Sequence, residues 1–443
     1  MRLLLVLSIA ASLLAVPAFA QRDQKWATSW TASVQGPYPS GNSSAQPNLR
    51  FAFPAPATGA RDQTFRLIVQ PDIWGRQTRI RLSNVFGSKP VTFDGVFAGL
   101  QLAGATIVTG TNRPVIFSGK PSVTIPPGES VWSDPVTLPF VKDPPQLELA
   151  GRKLAVSLHV DGESGPMTWH AKALATSYLT APGAGSKGQA ADEAAFPFST
   201  TSWYFLDALD MMAPSNTEVI VTLGDSITDG TASTLNGDDR WPNVLARRLH
   251  AAYGDRVSVV NAGIGGNQVI GPAEYSPQKP NSGGPAAQQR LDRDVLSLSG
   301  VSAVILFEGI NDLGRGTNAS VEAIQAGMKD IVGRLRSRIP GVRVIGGTVV
   351  SALGANGTHG SPEEDVKRKA LNDFIRGSAL FDGVADFDKA TLDSETGSLR
   401  PEFIPDSTIG GPGDKVHPNR AGYLAMGNVI DLSLLAPKPA RAR

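Results

Sequence analysis

Residues 219–228 read V-I-V-T-L-G-D-S-I-T, an apolar run that ends in a glycine, an aspartate and a serine. A short apolar run without polar alternation is typical of a strand in a parallel sheet that is covered on both faces. Four further runs follow at 257–260, 303–307, 342–345 and 384–387. Because amphipathic stretches separate these runs, the C-terminal half of the chain predicts repeated strand-helix units.

The stretches between the runs carry helix signals. Residues 241–253 have a proline near the first turn and are followed by a glycine, and apolar residues recur at helical spacing between 321 and 335. Residues 361–364, S-P-E-E, form a capping box ahead of a helix that Gly377 closes. Five strands joined by crossover helices predict a flavodoxin-like, three-layer α/β/α domain with a five-stranded parallel sheet.

Upstream, between residues 51 and 213, apolar residues recur mostly with a period of two, as at 65–69 and 154–160. Such alternation predicts half-buried strands, and helical periodicity is nearly absent. An all-β, antiparallel sandwich of the jelly-roll type is therefore expected. The predicted domains are an N-terminal β-sandwich at 21–213 and an α/β domain at 214–443.

Composition excludes several classes of function. The 443 residues contain 41 Lys and Arg against 40 Asp and Glu, and there is no extended basic run, so nucleic acid is not an expected partner. There is no cysteine, which excludes disulfides, a thiol nucleophile and thiolate metal ligands. The five histidines do not have metal-ligand spacing, so neither a metal nor another cofactor is predicted. Oligomeric state is not predicted.

The first twenty residues predict a secretory signal. Arg2 precedes an apolar stretch at 3–16, and the segment ends in A-F-A. Cleavage after Ala20 would leave no stable membrane anchor, because no later segment has the roughly 18 unbroken apolar residues that a span needs. A secreted or periplasmic protein is expected.

Polar and glycine-rich blocks follow several of the predicted strands. In an open α/β sheet, reactive groups lie at the carboxyl ends of the strands. The blocks are G-D-S-I-T at 224–228, N-A-G-I-G-G-N at 261–267, E-G-I-N-D at 308–312 and D-K-V-H-P at 414–418.

These four blocks, in this order, resemble the signature blocks of the SGNH (GDSL) hydrolase superfamily, over about residues 219–434. The stretches at 222–230, 240–242, 291–296 and 79–87 also resemble a subset of two-domain bacterial esterases with an N-terminal β-sandwich. The resemblance implies an SGNH hydrolase domain and a serine esterase that needs no cofactor.

The residue types also make chemical sense. A serine hydroxyl becomes a good nucleophile when a base removes its proton, and the pKa of an imidazole, about 6.5, suits that task at neutral pH. Ser226 is the candidate nucleophile, His417 the candidate base and Asp414 the residue that would orient the imidazole. The surrounding pattern is G-x-S-x-T, so the G-x-S-x-G nucleophile elbow does not fit.

Attack on an ester builds negative charge on oxygen, and donors must surround that oxyanion. The backbone N–H groups of Ser226 and Gly266 and the side-chain amide of Asn311 match the donors that the superfamily uses. His359, in a polar loop after the fourth strand, is the rival candidate for the base, with a solvated surface histidine as the alternative. Each block alone also fits an ordinary turn or helix cap.

The favoured interpretation is a secreted serine esterase that forms an acyl-Ser226 intermediate. Resemblance to carbohydrate esterases favours an ester substrate that carries short acyl groups, such as acetyl, on a polysaccharide. An arylesterase, lipase or thioesterase of broad specificity and a non-catalytic carbohydrate-binding protein are the alternatives. The polar loop at 271–285 is expected to be either a wall or lid over the acyl pocket or an ordinary surface loop.

Overall fold

The structure is a computed structural model that describes residues 23–142 and 147–438. The predicted signal at 1–20 lies outside the described residues. Among the residues described, no helix is long and apolar enough to cross a bilayer. The same residues contain no group of three or more His, Asp or Glu side chains placed to hold a metal ion.

The N-terminal β region, from β1 to β15, is built from antiparallel strands. Its strands are β1 (Gln24–Thr31), β2 (Arg61–Val69), β3 (Gln77–Ser83), β4 (Val91–Ala103), β5 (Thr106–Ile107), β6 (Arg113–Pro114), β7 (Val123–Ile125), β8 (Ser130–Trp132), β9 (Val136–Thr137), β10 (Leu154–Glu163), β11 (Trp169–His170), β12 (Ser177–Leu179), β13 (Phe198–Thr200), β14 (Trp203–Tyr204) and β15 (Leu206–Pro214). A short 3₁₀ helix, Leu147–Leu149, precedes β10.

One sheet has the order β1-β15-β3-β8, with β9 beside β3. The second has the order β13-β12-β2-β10-β4-β5, with β6 and β7 beside β4, and β11 pairs with β14. The expectation of an all-β N-terminal region is confirmed. The jelly-roll type and the domain limits at 21–213 and 214–443 stay predictions.

Aromatic side chains fill the space beside the second sheet. The ring of Phe65 lies 5.3 Å from Tyr204 and 5.9 Å from Phe205 between centroids. Phe53 and Phe93 extend the cluster, and all five rings are buried. Tilted and edge-to-face pairs of this kind contribute about 0.5–1.5 kcal/mol each beyond the area that they bury. The period of two seen in β2 thus points one face of the strand into this core.

The alternate face of β3 is buried too, which the expectation of half-buried strands missed. Arg81, only 4% exposed, donates to Asp207 Oδ1 at 2.6 Å and to Ser297 Oγ at 2.7 Å. Arg79 donates to Asp210 Oδ2 at 2.8 Å and to Ser299 Oγ at 3.1 Å. Because the two serines belong to the C-terminal half of the chain, the arginine face of β3 meets protein instead of water.

The C-terminal α/β region has a five-stranded parallel sheet with the order β17-β16-β18-β19-β20. In chain order this is 2-1-3-4-5, the flavodoxin-like order, so that prediction is confirmed. Its strands are β16 (Glu218–Gly224), β17 (Val257–Gly263), β18 (Val301–Phe307), β19 (Arg343–Gly347) and β20 (Gly383–Ala385).

Helices connect these strands. They are α1 (Ser226–Asp229), α2 (Trp241–Tyr253), α3 (Ala287–Leu291), α4 (Ile310–Leu313), α5 (Val321–Arg338), α6 (Pro362–Gly377), α7 (Phe387–Thr391) and α8 (Arg420–Val429). A π-helix, Asp292–Leu296, continues α3, and 3₁₀ helices cover Gly254–Arg256, Pro401–Phe403 and Leu432–Leu435. Since crossovers are right-handed, α2 lies on the opposite face of the sheet from α5 and α6.

The helix signals are confirmed, but one strand ends early. Ser361 and Glu364 form the capping box of α6 in both directions. The apolar run at 384–387 predicted a strand as far as Phe387, whereas β20 stops at Ala385. The side chain of Asp386 accepts a hydrogen bond from a backbone N–H of the next turn, so this residue caps α7 and Phe387 begins a helix.

His250 joins the two regions. Its Nε2 lies 2.9 Å from Oδ2 of Asp72, which follows β2, and its Nδ1 lies 3.1 Å from the carbonyl of Gly254. Burial lowers the pKa of His250, but the hydrogen bond and the charge of Asp72 outweigh burial and raise that pKa to about 9. His250 lies in the last turn of α2, and the carboxylate of Asp72 is its partner from the N-terminal region.

The folded protein therefore binds the His250 proton more tightly than the unfolded chain, where the pKa is about 6.5. The stabilisation of the folded state by protonated His250 is fully present below about pH 6.5 and is lost as the pH rises through about 9. We expect His250→Gln to lower the free energy of unfolding by about 1–3 kcal/mol at pH of about 6 and by much less near pH of about 10. Urea unfolding at both pH values measures this, and an equal loss at both would contradict an ionic contribution.

Candidate active site

The end of β16 delivers Ser226 to the carboxyl edge of the sheet. Because Gly224 has no side chain, the backbone of Phe307 can approach it closely; a Cβ on Gly224 would lie 2.7 Å from the carbonyl oxygen of Phe307. Asp225 then caps α1 by accepting a hydrogen bond from Ile227 N at 2.9 Å. Ser226 is the first residue of α1 and is 6% exposed. The sharp turn from strand to helix thus presents the hydroxyl at the sheet edge.

The structure brings Ser226, His417 and Asp414 together. Oγ of Ser226 lies 2.7 Å from Nε2 of His417, and Nδ1 of His417 lies 2.5 Å from Oδ2 of Asp414. The other carboxylate oxygen of Asp414 accepts the backbone N–H groups of Val416 and His417, both at 2.9 Å. These bonds hold the carboxylate against the imidazole, so the ring can accept the serine proton at one nitrogen and keep its orientation at the other.

The carboxylate of Asp414 stays ionised in this setting. Partial burial raises its pKa, but the hydrogen bond and charge of His417 and the two backbone N–H groups together hold the pKa well below its usual range. An acceptor that remains charged can stabilise an imidazolium as it forms. The arrangement can therefore support removal of the Ser226 proton during nucleophilic attack.

The two remaining candidate donors follow β17 and β18. Gly266 has a φ of +86°, a conformation that favours glycine. Asn311 is the second residue of α4, and its Nδ2 donates to the carbonyl of Asn267 at 2.8 Å. The amide of Asn311 thus lies against the residue that follows Gly266, and the second and third blocks meet at this point.

His359 contacts Asn311 and lies outside the hydrogen-bonded Ser-His-Asp chain. Its Nε2 lies 3.1 Å from Oδ1 of Asn311, and its Nδ1 lies 3.1 Å from Oγ1 of Thr358. Burial, followed by the neighbouring His417, lowers the pKa of His359, so its neutral form is favoured. A neutral ring that donates from Nε2 holds the Asn311 amide with its NH₂ group facing away from His359.

Buried carboxyl groups lie behind Ser226. Asp312 accepts the backbone N–H groups of Val269 and Ile270 at 2.9 and 3.1 Å. Burial raises the pKa of Asp312 to about 6, against the effect of those bonds. Burial likewise raises the pKa of Asp225 to about 7, against its hydrogen bond from Ile227.

Arg290, fully buried, ties three of the blocks together and was not singled out from the sequence. Its guanidinium donates to the carbonyls of Gly224 and Ala262 at 2.9 and 2.7 Å, and it lies 3.4 Å from Oε1 of Glu308. It also donates to Asn267 Oδ1 at 2.8 Å. An arginine in an amphipathic stretch has no local signal for such a role, because the blocks that it joins lie 18 to 66 residues away.

The N-terminal β region reaches the site with a buried lysine. The Lys172 side chain contacts the hydroxyl of Thr231, just after α1, and Lys172 is 4% exposed. Burial lowers its pKa, while the negative charges of Asp229, Asp414 and Asp225 raise it. Lys172 of the N-terminal β region therefore lies near the acidic groups of the α/β region.

The loop at 271–285 packs directly beside Gly266. A Cβ added to Gly283 would lie 2.2 Å from the carbonyl oxygen of Gly266, and Asn267 Nδ2 donates to Gly283 O at 2.7 Å. Tyr275 in this loop exchanges hydrogen bonds with the backbone of Gly36 at 2.6 and 2.9 Å. The loop is thus a packed wall next to the second block, held from the N-terminal side.

The solved structures compared below each match about half of this chain. No curated protein matches the chain significantly. Among solved structures, a carbohydrate acetylesterase from Sinorhizobium meliloti is 17% identical, with a TM-score of 0.36 over 48% of this chain and 95% of its own. The aryl esterase of M. smegmatis is 18% identical, with a TM-score of 0.36 over 48% of this chain and 95% of its own. A lipase/acylhydrolase from Enterococcus faecalis is 22% identical, with a TM-score of 0.35 over 51% of this chain and 100% of its own.

A family model also matches part of the chain. The model described as the GDSL-like Lipase/Acylhydrolase family matches residues 222–425, a range that begins within β16 and ends within α8. This range contains all four sequence blocks. Over residues 222–425 the chain is therefore similar to the GDSL-like lipase/acylhydrolase family, and this match supports a carboxylic ester hydrolase.

Proposed function

We propose that Ser226 attacks the ester carbonyl, with His417 as base and Asp414 as the group that orients it. The observation that carries this proposal is the continuous hydrogen-bonded chain of 2.7 and 2.5 Å from the serine hydroxyl to the carboxylate. The backbone N–H groups of Ser226 and Gly266 and the amide of Asn311 are the proposed oxyanion donors. Hydrolysis then passes through an acyl-Ser226 ester, which water cleaves with the same base.

The proposed preferred substrate is a short acyl ester, such as acetate, on a polysaccharide. Tight packing around Gly266 supports a small acyl group, since a Cβ there would lie 2.6 Å from Nδ2 of Asn42 and 3.3 Å from Cα of Gly283. Two exposed polar residues just before His417 in sequence, Asp414 and Lys415, support a hydrophilic alcohol such as a sugar. Export through the signal at 1–20 completes this proposal, and the N-terminus of the exported protein tests it.

A panel of p-nitrophenyl esters of rising chain length, run beside acetylated xylan, tests the substrate. We expect kcat/KM for the acetate to exceed that for the octanoate by more than about tenfold, because a pocket fitted to a short chain excludes extra methylenes. Release of acetate from xylan is expected as well. Preference for the octanoate would indicate a lipase, and glycan binding without release of nitrophenol would indicate a binding protein.

A further inference from the structure

Asn42 belongs to the loop that follows β1, far in sequence from the α/β region. Its Nδ2 donates a hydrogen bond of 2.8 Å to the carbonyl oxygen of Gly265, 223 residues away. The carbonyl of Gly265 and the N–H of Gly266 belong to one planar peptide group and point in opposite directions. A bond that fixes the oxygen therefore fixes the direction of the Gly266 N–H.

This peptide group needs restraint from outside. Two consecutive glycines allow wide rotation on both sides of the peptide plane, because neither has a Cβ. Gly265 N donates to Asp229 Oδ2 at 2.9 Å, which holds the preceding peptide, whereas Asn42 holds the peptide that carries the Gly266 N–H. A hydrogen bond to the carbonyl also polarises the amide and strengthens its N–H as a donor.

Asn42 is itself held firmly by the N-terminal β region. The indole Nε1 of Trp169 donates to the carbonyl of Ser40 at 3.0 Å. Gly41 fits closely against the same region, since a Cβ on it would lie 2.8 Å from Cβ of Ala171 and 2.9 Å from the Trp169 ring. On the other side, Gln35 Nε2 donates to Ser282 O at 2.7 Å. The loop is thus fixed between β11 and the wall at 271–285.

We propose that Asn42 is a positioning residue, through which the N-terminal β region orients the Gly266 N–H toward the oxyanion. The β region then takes part in the reaction without contributing to the Ser-His-Asp chain. This inference rests on the proposed function, because it requires Gly266 to be an oxyanion donor.

The test compares Asn42→Ala and Asn42→Asp with Asn48→Ala. Asn48 is exposed in the same loop, and its side chain accepts only the nearby Arg50 N–H among the hydrogen bonds of the described residues, so it is the matched control. For p-nitrophenyl acetate, we expect Asn42→Ala to lower kcat by about 10- to 30-fold. This effect is larger than that of losing one neutral hydrogen bond and smaller than that of losing a whole oxyanion donor. KM should change by less than about twofold.

Asn42→Asp should lower kcat at least as much, because a carboxylate of the same shape cannot donate to the Gly265 oxygen. The affinity for a short alkylboronic acid, whose tetrahedral adduct with Ser226 places an oxygen among the same donors, should fall by a factor similar to kcat/KM. Melting temperatures of all three variants should stay within about 2 °C of the unmodified protein.

A wild-type kcat in Asn42→Ala would overturn the proposal, as would a loss of kcat that leaves boronic acid affinity unchanged. The unmodified enzyme and Ser226→Ala belong in the same assay. If the unmodified enzyme is inactive, or if Ser226→Ala stays active, the proposed function fails. If those two behave as expected and Asn42→Ala matches the unmodified enzyme, only the positioning role fails.

Discussion

Replacing Ser226 with alanine is expected to lower kcat for p-nitrophenyl acetate by about 10⁴-fold or more, and His417→Ala should do the same. The two side chains are joined by a bond of 2.7 Å, so either change removes the nucleophile or the base that activates it. Because they act as one unit, the double variant should be no less active than either single variant. Steady-state turnover measures the loss, and circular dichroism on heating shows whether the fold is intact.

His359→Ala is the matched comparison for the base. It removes a histidine whose hydrogen bonds go to Thr358 and Asn311. We therefore expect kcat to fall only about fivefold, as for the loss of one neutral hydrogen bond. A folded His417→Ala enzyme with near wild-type turnover, together with an inactive His359→Ala enzyme, would transfer the base role to His359.

Asn311→Ala is expected to lower kcat by about 10²- to 10³-fold with little change in KM. The amide would stabilise charge that develops only in the transition state, so ground-state binding should be nearly unaffected. The hydrogen bonds of Asn311 to Asn267 and His359 would be lost too, which adds a stability cost of about 1–2 kcal/mol. Turnover and unfolding free energy, measured together, separate the two effects.

Asn311→Asp separates the catalytic from the structural role more sharply. The carboxylate keeps the shape and can still accept from His359, but it places an acceptor where the oxyanion must form. We expect it to be at least as inactive as Asn311→Ala. Asn356→Ala, in the exposed part of the loop after β19, is the control that should keep full activity. An active Asn311→Asp enzyme would exclude Asn311 from the oxyanion hole.

The sequence predicted the elements well where the signal was local. The capping box at Ser361 and Glu364 specified the start of α6 from residues that touch each other in the structure. The strand predicted from the run at 384–387 extended too far, and the reason is local as well. The four residues cannot show whether Asp386 caps a helix or continues a strand. Burial of both faces of β3 was missed, because alternation does not reveal what covers the polar face.

By itself, the sequence determined the strand-helix repeat of the α/β region and the positions of the four blocks, because apolar runs and helix caps act within a few residues. It also placed Asp414 and His417 three residues apart, close enough to meet in a turn. Only the tertiary structure decided that Asn42 meets Gly265, that His250 meets Asp72 and that His359 meets Asn311, across 223, 178 and 48 residues. Polar side chains in loops carry no periodicity, so their partners depend on how the β and α/β regions pack together.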